Sequence, residues 1–357
     1  LAAYIPMAFI WCFSSHLFAL IVPDRKLAVL AEKFLRGMSL GAPGYIFFET
    51  GKRFLQAQGI FVAGQYCLFI AAPINLLLNY LLVWNKHFGI GLYGAPLSTS
   101  ISYWLMSLLL LCYVRFIDGK KCWDGINLQE ALRGWGTMFN LALNGTAMML
   151  SEFVAFEILT LSVSRLGTAS LAAQSITSSL ATLLFQIPFG ISVAASTRIA
   201  YHVGAGSINM AKMASRITLN LALVVGVLSF LVVFIFRANI VRIFTTDQEV
   251  VKYATVSVGI LGINQLFDCS NVLLAGCLRG QGRQHIGSAL NIFVYYVIAV
   301  PLALHLAFKT GLGLKGLWIG IGIGVSILAI SEGYFVLFRS NWPAILQSAQ
   351  KRNSLGS

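Results

Sequence analysis

Long apolar stretches separated by short polar connections run through the whole chain. A helix needs roughly 20 apolar residues to cross a hydrocarbon core about 30 Å thick. Ten stretches approach this length, and we expect helices at approximately 1–22, 37–58, 60–84, 91–114, 138–164, 168–200, 217–240, 254–278, 286–308 and 316–338. The first stretch opens at Leu1 inside an apolar run, without the basic leader of a signal peptide. We therefore interpret it as the end of a truncated helix.

Matching motifs recur in the two halves of the chain at a nearly constant separation. LQAQG begins at Leu55 and LRGQG begins at Leu278, which is 223 residues later. GIGLYG begins at Gly89 and GLGLKG begins at Gly311, which is 222 residues later. Asp24 and Asp247, each in the polar connection after an apolar stretch, are also 223 residues apart. Three matches in the same order at nearly the same separation indicate an internal duplication.

The duplication predicts the fold class. The second repeat begins near Trp135 with a complete helix, so the first repeat would extend roughly ninety residues ahead of Leu1. We therefore predict an all-α polytopic membrane bundle of two six-helix lobes, with twelve spans when complete and about nine full spans plus one partial span here. Each repeat holds an even number of spans, so both lobes insert with the same orientation.

The most polar stretch of the chain separates the two predicted lobes. Within it Leu128, Leu132 and Trp135 fall on one helical face, which predicts a short helix lying in the membrane interface. The distribution of basic residues favours a cytoplasmic side for this linker. The predicted domains are a partial N-terminal lobe at 1–118, the linker at 119–136, a C-terminal lobe at 137–340 and a tail at 341–357.

Composition supports a membrane protein and excludes several other classes. Apolar residues make up 58% of the chain and charged residues only 10%, whereas a soluble domain carries about 25% charged residues. The net charge of +13 does not indicate a nucleic-acid partner, because basic residues such as Arg198, Lys212 and Arg216 stand singly beside apolar runs. The six cysteines form no CxxC pair and have no histidine at metal-ligand spacing.

Five acidic residues fall inside predicted spans, where an ionised side chain costs about 2.5 to 3.5 kcal/mol. They are Glu49, Glu152, Glu157, Asp268 and Glu332. Glu49 has Lys52 beside it and Arg53 one turn later, which predicts a structural ion pair. Glu332 lies close to a span end, with Arg339 two turns later, and we interpret it as a packing or interfacial residue.

The remaining three acids have no basic residue within two helical turns, so we expect them to bind a proton or a cation. The alternative is a buried, permanently protonated carboxyl that bonds to a neighbouring helix. Glu152 and Glu157 are five residues apart and point about 140° apart on a helix, so both cannot face one narrow cavity. Asp268 lies near the middle of its span, and we assign to it the protonation that releases substrate.

A buried carboxyl of this kind can couple two ligands. Burial in a low dielectric favours its protonated form, whereas a bound cation favours its ionised form. Such a site can hold a proton or a cationic substrate but holds both poorly, which is the basis of proton-coupled antiport. The polar residues that we expect to line the cavity with these acids are Asn144, Gln174, Asn264, Gln265, Asn271, Asn291 and Tyr295.

Four motifs resemble those of the multidrug and toxic compound extrusion (MATE) transporters of eukaryotes. SEFVAFEIL from Ser151 resembles the seventh-helix motif of that family, and QIPFGISVAASTRI from Gln186 resembles its eighth helix. LRGQGRQ from Leu278 resembles the polar end of its tenth helix, and KRFLQAQGI from Lys52 resembles the matching stretch after its fourth helix. The resemblance covers nearly the whole chain.

The resemblance implies an antiporter that exports organic compounds, commonly cationic or amphipathic, in exchange for H⁺ or Na⁺ by alternating access. In eukaryotic members the exchange is usually with protons, and acids of the seventh and tenth helices contribute. These acids correspond to Glu152, Glu157 and Asp268. We accordingly expect no enzymatic activity and no cofactor besides the coupling ion. The expected partners are a small organic substrate and the lipid bilayer, with the protein acting as a monomer in the plasma or vacuolar membrane.

Other functions fit the residues less well. A membrane enzyme would need a convergent nucleophile and base, but the five histidines are scattered. A channel would need pore-lining rings from an oligomer, whereas the internal repeat favours alternating access within one chain. A flippase of lipid-linked sugars would need a cationic cavity for phosphates, while the deep charges are acidic. A Na⁺-coupled exporter or such a flippase on a similar scaffold stays the alternative.

Overall fold

The computed structural model describes residues 4–15, 25–85, 89–120 and 135–354. All regular structure in these ranges is helical. The helices, numbered in chain order, are α1 (Tyr4–Cys12), α2 (Arg25–Ala57), α3 (Val62–Asn79), α4 (Gly94–Phe116), α5 (Trp135–Val163), α6 (Thr168–Gly204), α7 (Ile208–Phe244), α8 (Gln248–Gly280), α9 (Gln284–Phe293), α10 (Val300–Leu304), α11 (Leu314–Leu337) and α12 (Trp342–Ser354). Short 3₁₀ or π-helical turns extend several of them.

Eight helical segments of the described chain are long and apolar enough to cross a membrane. They are Val62–Trp84, Gly91–Phe116, Phe139–Leu166, Thr168–Gly204, Ile208–Phe244, Gln248–Gly280, Gln284–Lys309 and Leu314–Leu337. These segments correspond to the last eight of the ten predicted spans. The prediction of an all-α polytopic membrane bundle is therefore confirmed, while the total of twelve spans stays a prediction.

The predicted span at 37–58 begins too late. The helix α2 starts at Arg25 and is 33 residues long, so its first turns precede the apolar stretch. Glu32 and Arg36 form an ion pair one turn apart, with 2.6 Å between Glu32 Oε1 and Arg36 Nη2. A pair of this spacing stabilises a helix ahead of the apolar stretch, and a search for apolar stretches alone cannot find it.

Contacts between the described residues divide the chain into two compact units, unit 1 at 1–126 and unit 2 at 127–357. The division falls within the linker predicted at 119–136. The interfacial helix predicted from Leu128 and Leu132 lies outside the described residues. The predicted domain bounds at 1–118, 137–340 and 341–357 stay predictions.

In unit 1 the helices α2 and α4 approach each other through small residues. A Cβ atom added to Gly41 would lie 2.4 Å from the Cα of Ser100, so only glycine fits there. Ser100 Oγ donates a hydrogen bond to the Gly37 carbonyl at 2.8 Å, and Trp104 Nε1 donates to the Leu40 carbonyl at 2.9 Å. Close backbone approach of this kind replaces the hydrophobic driving force that lipid does not supply.

In unit 2 the helix α8 is surrounded by other helices and has long stretches of buried residues. It begins at Asp247, whose Oδ1 accepts hydrogen bonds from the backbone N–H groups of Glu249 and Val250. At its other end Gly276 and Gly280 face α6. A Cβ atom at Gly276 would lie 2.4 Å from Ser192 Oγ. The four-residue glycine spacing lets α6 and α8 pack closely.

The turns that follow Leu55 and Leu278 have the same backbone structure. Both leucines are buried, and each carbonyl accepts a hydrogen bond of 2.9 Å from the amide five residues later. Gly59 and Gly282 occupy the same place in these turns with φ of +82° and +69°, a region that favours glycine. The local structure thus agrees with the internal duplication.

One feature distinguishes the two repeats. The segment Gln284–Lys309 contains two π-helical turns, Val294–Ala299 and His305–Lys309. The described residues of unit 1 contain one, Tyr80–Trp84, near the position that matches the second of these. The residues that match the first, at 71–76, form regular α-helix. Single π-helical turns occur frequently at functional sites, so the residues beside the extra turn of unit 2 are candidates for a functional role.

Candidate functional site

A small cavity lies inside unit 2 between α5, α6, α8 and α9. Its polar walls are Glu152, Asn271, Arg279 and Asn291, and its apolar walls include Met148, Met149, Phe185 and Phe189. The space inside the cavity that the centre of a water molecule can occupy is about 30 Å³. One water needs about 10 to 15 Å³ by this measure, whereas a drug-sized ligand occupies a pocket of about 300 to 1,000 Å³. In this conformation the cavity therefore suits water or a single small ion.

The packing of α5 directs Glu152 into this cavity. The buried stripe of the helix runs through Met148, Ala155 and Leu159 at helical spacing. Glu152 lies one turn after Met148, beside this stripe, and is half-buried. Glu157 is exposed on another face of the same helix. The expected divergence of the two acids agrees with this arrangement, and Glu157 does not line the cavity.

Asp268 lies on α8, one turn before Asn271, and is half-buried. The α8 wall of the cavity is formed by Asn271 and Arg279 rather than by Asp268. The Asp268 carboxyl still interacts electrostatically with Glu152 and lies near the Gln265 side chain. The two acids are thus neighbours, but Glu152 is the one that reaches the cavity.

Sequence spacing did not place Arg279 beside Glu152, because spacing reveals only the basic residues that are close along the same helix. The side chain lines the same cavity, and its charge interacts with those of Glu152 and Glu332. Its Nη2 donates a hydrogen bond of 2.7 Å to Ser192 Oγ on α6. The glycines Gly276 and Gly280 that flank it in sequence bring α6 within reach. This glycine pair around an arginine was the available signal.

Three of the other amides predicted to line the cavity, Asn144, Gln174 and Asn264, form contacts between helices. Trp318 Nε1 donates a hydrogen bond of 2.9 Å to Gln174 Oε1, and Asn264 Nδ2 donates one of 3.0 Å to the Trp318 carbonyl. These bonds connect α6 and α8 to α11. Ser288 Oγ donates to Asn144 Oδ1 at 3.0 Å and connects α9 to α5. Of the seven polar residues predicted, only Asn271 and Asn291 belong to the walls of this cavity.

Three buried side chains near the cavity carry an oxygen atom with no hydrogen-bond partner in the described part of the chain. These atoms are Asn271 Oδ1, the Tyr295 hydroxyl and Glu332 Oε2. The Tyr295 and Glu332 side chains are completely buried, and both interact electrostatically with Glu152. Buried polar groups are nearly always hydrogen-bonded. Bound water or a change of conformation would therefore supply the missing hydrogen bonds of these three oxygen atoms.

Of the two roles predicted for Glu332, packing or interfacial, the structure agrees with packing inside unit 2. The residue is 0% exposed, whereas Arg339, its expected neighbour, is exposed at the end of the helix. Helix α11 passes through the interior of unit 2 because its glycines allow close contact with the neighbouring helices. At Gly320, for example, an added Cβ would lie 2.3 Å from the Cα of Ala303. Proximity to a span end in sequence therefore did not mean proximity to the surface.

The ion pair predicted at Glu49 exists but has a different partner. Glu49 Oε1 binds the ammonium of Lys52 rather than the guanidinium of Arg53. Arg53 instead donates a hydrogen bond of 3.2 Å to Gln56 Oε1. The Lys52 ammonium also lies 5.2 Å from the centre of the Phe48 ring, which adds a cation–π attraction. This acid is a structural residue of unit 1.

Comparison with known proteins gives a consistent picture. The family model described as MatE matches residues 1–81 and 146–304. An uncharacterized transporter of Saccharomyces cerevisiae is 43% identical over 98% of this chain and 50% of its own length. The human multidrug and toxin extrusion protein 1 is 31% identical over 96% of this chain and 60% of its own length. The chain spans 50% to 65% of the three fungal relatives that it matches.

Solved structures share the fold. The crystal structure of the eukaryotic MATE transporter AtDTX14 superposes with a TM-score of 0.90 at 30% identity, over 98% of this chain and 78% of that one. A MATE structure in a bent conformation gives a TM-score of 0.81 at 19% identity, over 98% of this chain and 77% of that one. The second likeness shows the fold alone.

Proposed function

This chain belongs to the MATE family of transporters, and from that premise we propose that the protein exports small organic compounds in exchange for protons. It is a multi-pass integral membrane protein and a transporter rather than an enzyme. The substrate that we propose is cationic or amphipathic. The single observation that carries the proposal is a carboxyl, Glu152, in a cavity that admits a water molecule but no organic substrate.

The size of the cavity supports ion coupling. A carboxyl that shared its space with an organic substrate would need a pocket at least about tenfold larger than 30 Å³. In the described conformation the cavity beside Glu152 has room for water or a small ion. In this proposal the organic substrate binds to another conformation with a wider cavity, and its binding shifts the population toward that conformation.

The charge of Arg279 favours a proton over Na⁺. A metal cation beside Glu152 would be repelled by the guanidinium on the same cavity wall. A proton instead neutralises the carboxylate and removes its attraction to Arg279. The two residues lie on α5 and α8, so uptake of a proton weakens an attraction between these helices. This change shifts the population between conformations of unit 2.

Asp268 modulates the same step. Its charge repels that of Glu152, so ionisation of the two carboxyls is coupled. We accordingly propose Glu152 as the primary proton-binding residue, with Asp268 as its electrostatic neighbour. Glu157, which is exposed on unit 2, has a secondary role in this proposal. This assignment differs from the sequence-based hypothesis, in which Asp268 was the residue whose protonation releases substrate.

A Na⁺-coupled exporter is the second candidate. Asn271 Oδ1 is a buried oxygen that lacks a hydrogen-bond partner among the described residues and belongs to the cavity wall with Glu152. Carbonyl and carboxylate oxygens are the ligands that hard cations prefer. The nearby guanidinium of Arg279 is the argument against this candidate.

Transport by the full-length protein in proteoliposomes tests the proposal. We expect uptake of a fluorescent organic cation to follow an imposed pH gradient and to be indifferent to an imposed Na⁺ gradient. Asp268→Asn should shift the pH dependence of this uptake without removing substrate binding. Uptake driven by Na⁺ at constant pH would instead support the second candidate. We further propose that the protein acts as a monomer in the plasma or vacuolar membrane.

A further inference from the structure

Glu332 is the most deeply buried acid of the described chain and has no role in the function proposed above. Its side chain is 0% exposed. Its Oε1 lies 3.5 Å from Asn291 Nδ2, which also donates a shorter bond of 2.8 Å to the Gly287 carbonyl. Its Oε2 has no hydrogen-bond partner in the described ranges. The carboxyl is therefore held by one long contact.

Neither protonation state of Glu332 is satisfied in this arrangement. An ionised carboxylate would leave Oε2 buried without a donor, and a protonated carboxyl on Oε2 would leave its O–H without an acceptor. Leaving a buried polar atom unpaired costs free energy that a permanent structural contact would avoid. Glu332 Oε2 can therefore form a new hydrogen bond when water enters or when the helices move.

The duplicated sequence shows that packing at this position does not need a carboxyl. A separation of 222 residues, the one that links Gly89 to Gly311, relates Glu332 to Leu110 in unit 1. Leu110 is 4% exposed and belongs to the apolar core of its unit. The fold therefore accommodates a leucine at the equivalent place. An acid there lowers stability, so its presence indicates a function.

Glu332 is connected to the cavity through Asn291. That amide contacts Glu332 and at the same time lines the cavity that contains Glu152. The extra π-helical turn of unit 2, Val294–Ala299, begins three residues after Asn291 and contains Tyr295, whose buried hydroxyl also lacks a partner within the described residues. π-helical turns of this kind are rare and are found frequently at functional sites.

We propose that Glu332 is a second proton-binding carboxyl of the transport cycle, which exchanges its proton with Glu152 through water in the cavity beside Asn291. The inference rests on the proton coupling proposed above. A proton leaves the Glu332 carboxyl for water, and the water gives a proton to the Glu152 carboxylate. Only O–H bonds break and form, and the Asn291 amide orients the water without being protonated.

The charged and titratable groups around Glu332 are compatible with this exchange. Arg279 and Cys277 face it from α8, Glu152 from α5, and Tyr295 from the helix that follows α9. Arg279 attracts both carboxylates, while each carboxylate repels the other. One negative charge shared between Glu152 and Glu332 is therefore more favourable than two. The guanidinium stays close to that charge on either residue.

The test uses the full-length protein in proteoliposomes, with Glu332→Gln as the main variant and Glu49→Gln as the matched control. Glutamine keeps the size of the side chain, so a purely structural carboxyl predicts normal transport. We expect Glu332→Gln to reduce uptake driven by a pH gradient about tenfold. Exchange of labelled for unlabelled substrate at equal pH should stay within about twofold of wild type. Glu332→Asp should restore part of the gradient-driven uptake with a shifted pH profile.

Infrared difference spectra separate this inference from the proposed function. A carboxyl C=O band that changes with pH in the wild type should be missing in Glu332→Gln and shifted in Glu332→Asp. An unchanged band together with unchanged gradient-driven uptake would overturn the assignment of Glu332. Wild-type transport that ignores the pH gradient would instead contradict the proposed proton coupling. If Glu332→Gln does not fold, the Glu332→Asp spectrum and pH profile decide the question.

Discussion

The matched helices of units 1 and 2 have similar local structure and different interiors. The turns after Leu55 and Leu278 have the same hydrogen bonds and the same positive-φ glycine. Yet Phe48 and Leu110 of unit 1 occupy the places where unit 2 has Asn271 and Glu332. All four side chains of these two pairs are buried.

The acidic residues of the two units have different kinds of partners. The described acids of unit 1 inside long helices bind basic partners one turn away, as Glu49 binds Lys52 and Glu32 binds Arg36. In unit 2, by contrast, three acids come from three different helices and interact electrostatically with one another or with Arg279, namely Glu152, Asp268 and Glu332. Pairing within one helix supports the helix itself. Convergence of buried acids from separate helices lowers stability and is typical of ion pathways in membranes.

The largest effect on stability is expected when the residues at the matched positions Leu110 and Glu332 are exchanged. Leu110→Glu places a carboxyl in an apolar core and should lower the free energy of unfolding by at least ~3 kcal/mol. Glu332→Leu should leave stability unchanged or raise it by ~1 kcal/mol, because an apolar side chain replaces an unsatisfied polar one. Thermal unfolding in detergent measures both. Equal destabilisation by the two variants would contradict the matched roles of these positions.

Replacing a glycine at a close helix contact by alanine should lower stability by a similar amount in both units. Gly41→Ala and Gly276→Ala each introduce a Cβ atom 2.4 Å from the facing serine, so the helices must separate. We expect a loss of about 1 to 3 kcal/mol in stability for either variant. Gly190→Ala is the control, because nothing lies within 4 Å of the added atom. A large loss in the control alone would show that these contacts do not govern stability.

Removal of the cap of α8 should have a moderate effect. Asp247→Ala deletes the acceptor of the Glu249 and Val250 amides and should cost about 1 kcal/mol of stability. Asp247→Asn, which retains a capping oxygen, is the control. The pH dependence of transport should not change, since the residue lies outside the acid cluster. Thermal unfolding and a transport pH profile check the two parts of the prediction.

The smallest effect is expected at the surface pair of unit 1. Glu49→Gln removes one partner of a pair whose side chains are 21% and 30% exposed, and pairs of this kind contribute up to about 1 kcal/mol. Both stability and gradient-driven transport should stay close to wild type. A loss of coupling in this variant would mean that unit 1 also contains a functional acid.

Much of the fold was predictable from the sequence because membrane spans are a local property. Apolar length located eight helical segments, and helical geometry separated Glu152 from Glu157. The start of α2 was missed because charged i,i+4 pairs continue a helix beyond its apolar part. The all-helical class and the shared turn of the repeats followed from patterns within short stretches.

The candidate site was only partly predictable because it depends on contacts between distant segments. Arg279 is far from Glu152 in sequence and reaches the same cavity through the packing of α6 against α8. Gln174 and Asn264 were expected in the cavity, but they bond to Trp318, which sequence spacing cannot show. Glu332 could in principle have been identified from the sequence, since the first repeat has a leucine at the equivalent position.

The central claim, that proton coupling resides in the acid cluster of unit 2, is tested most directly by Glu152→Gln in the full-length protein. The measurement is uptake of an organic cation into proteoliposomes under a pH gradient, with substrate exchange at equal pH recorded in parallel. We predict that gradient-driven uptake falls by about a hundredfold, while exchange stays within about twofold of wild type. Undiminished uptake under the pH gradient would contradict the account.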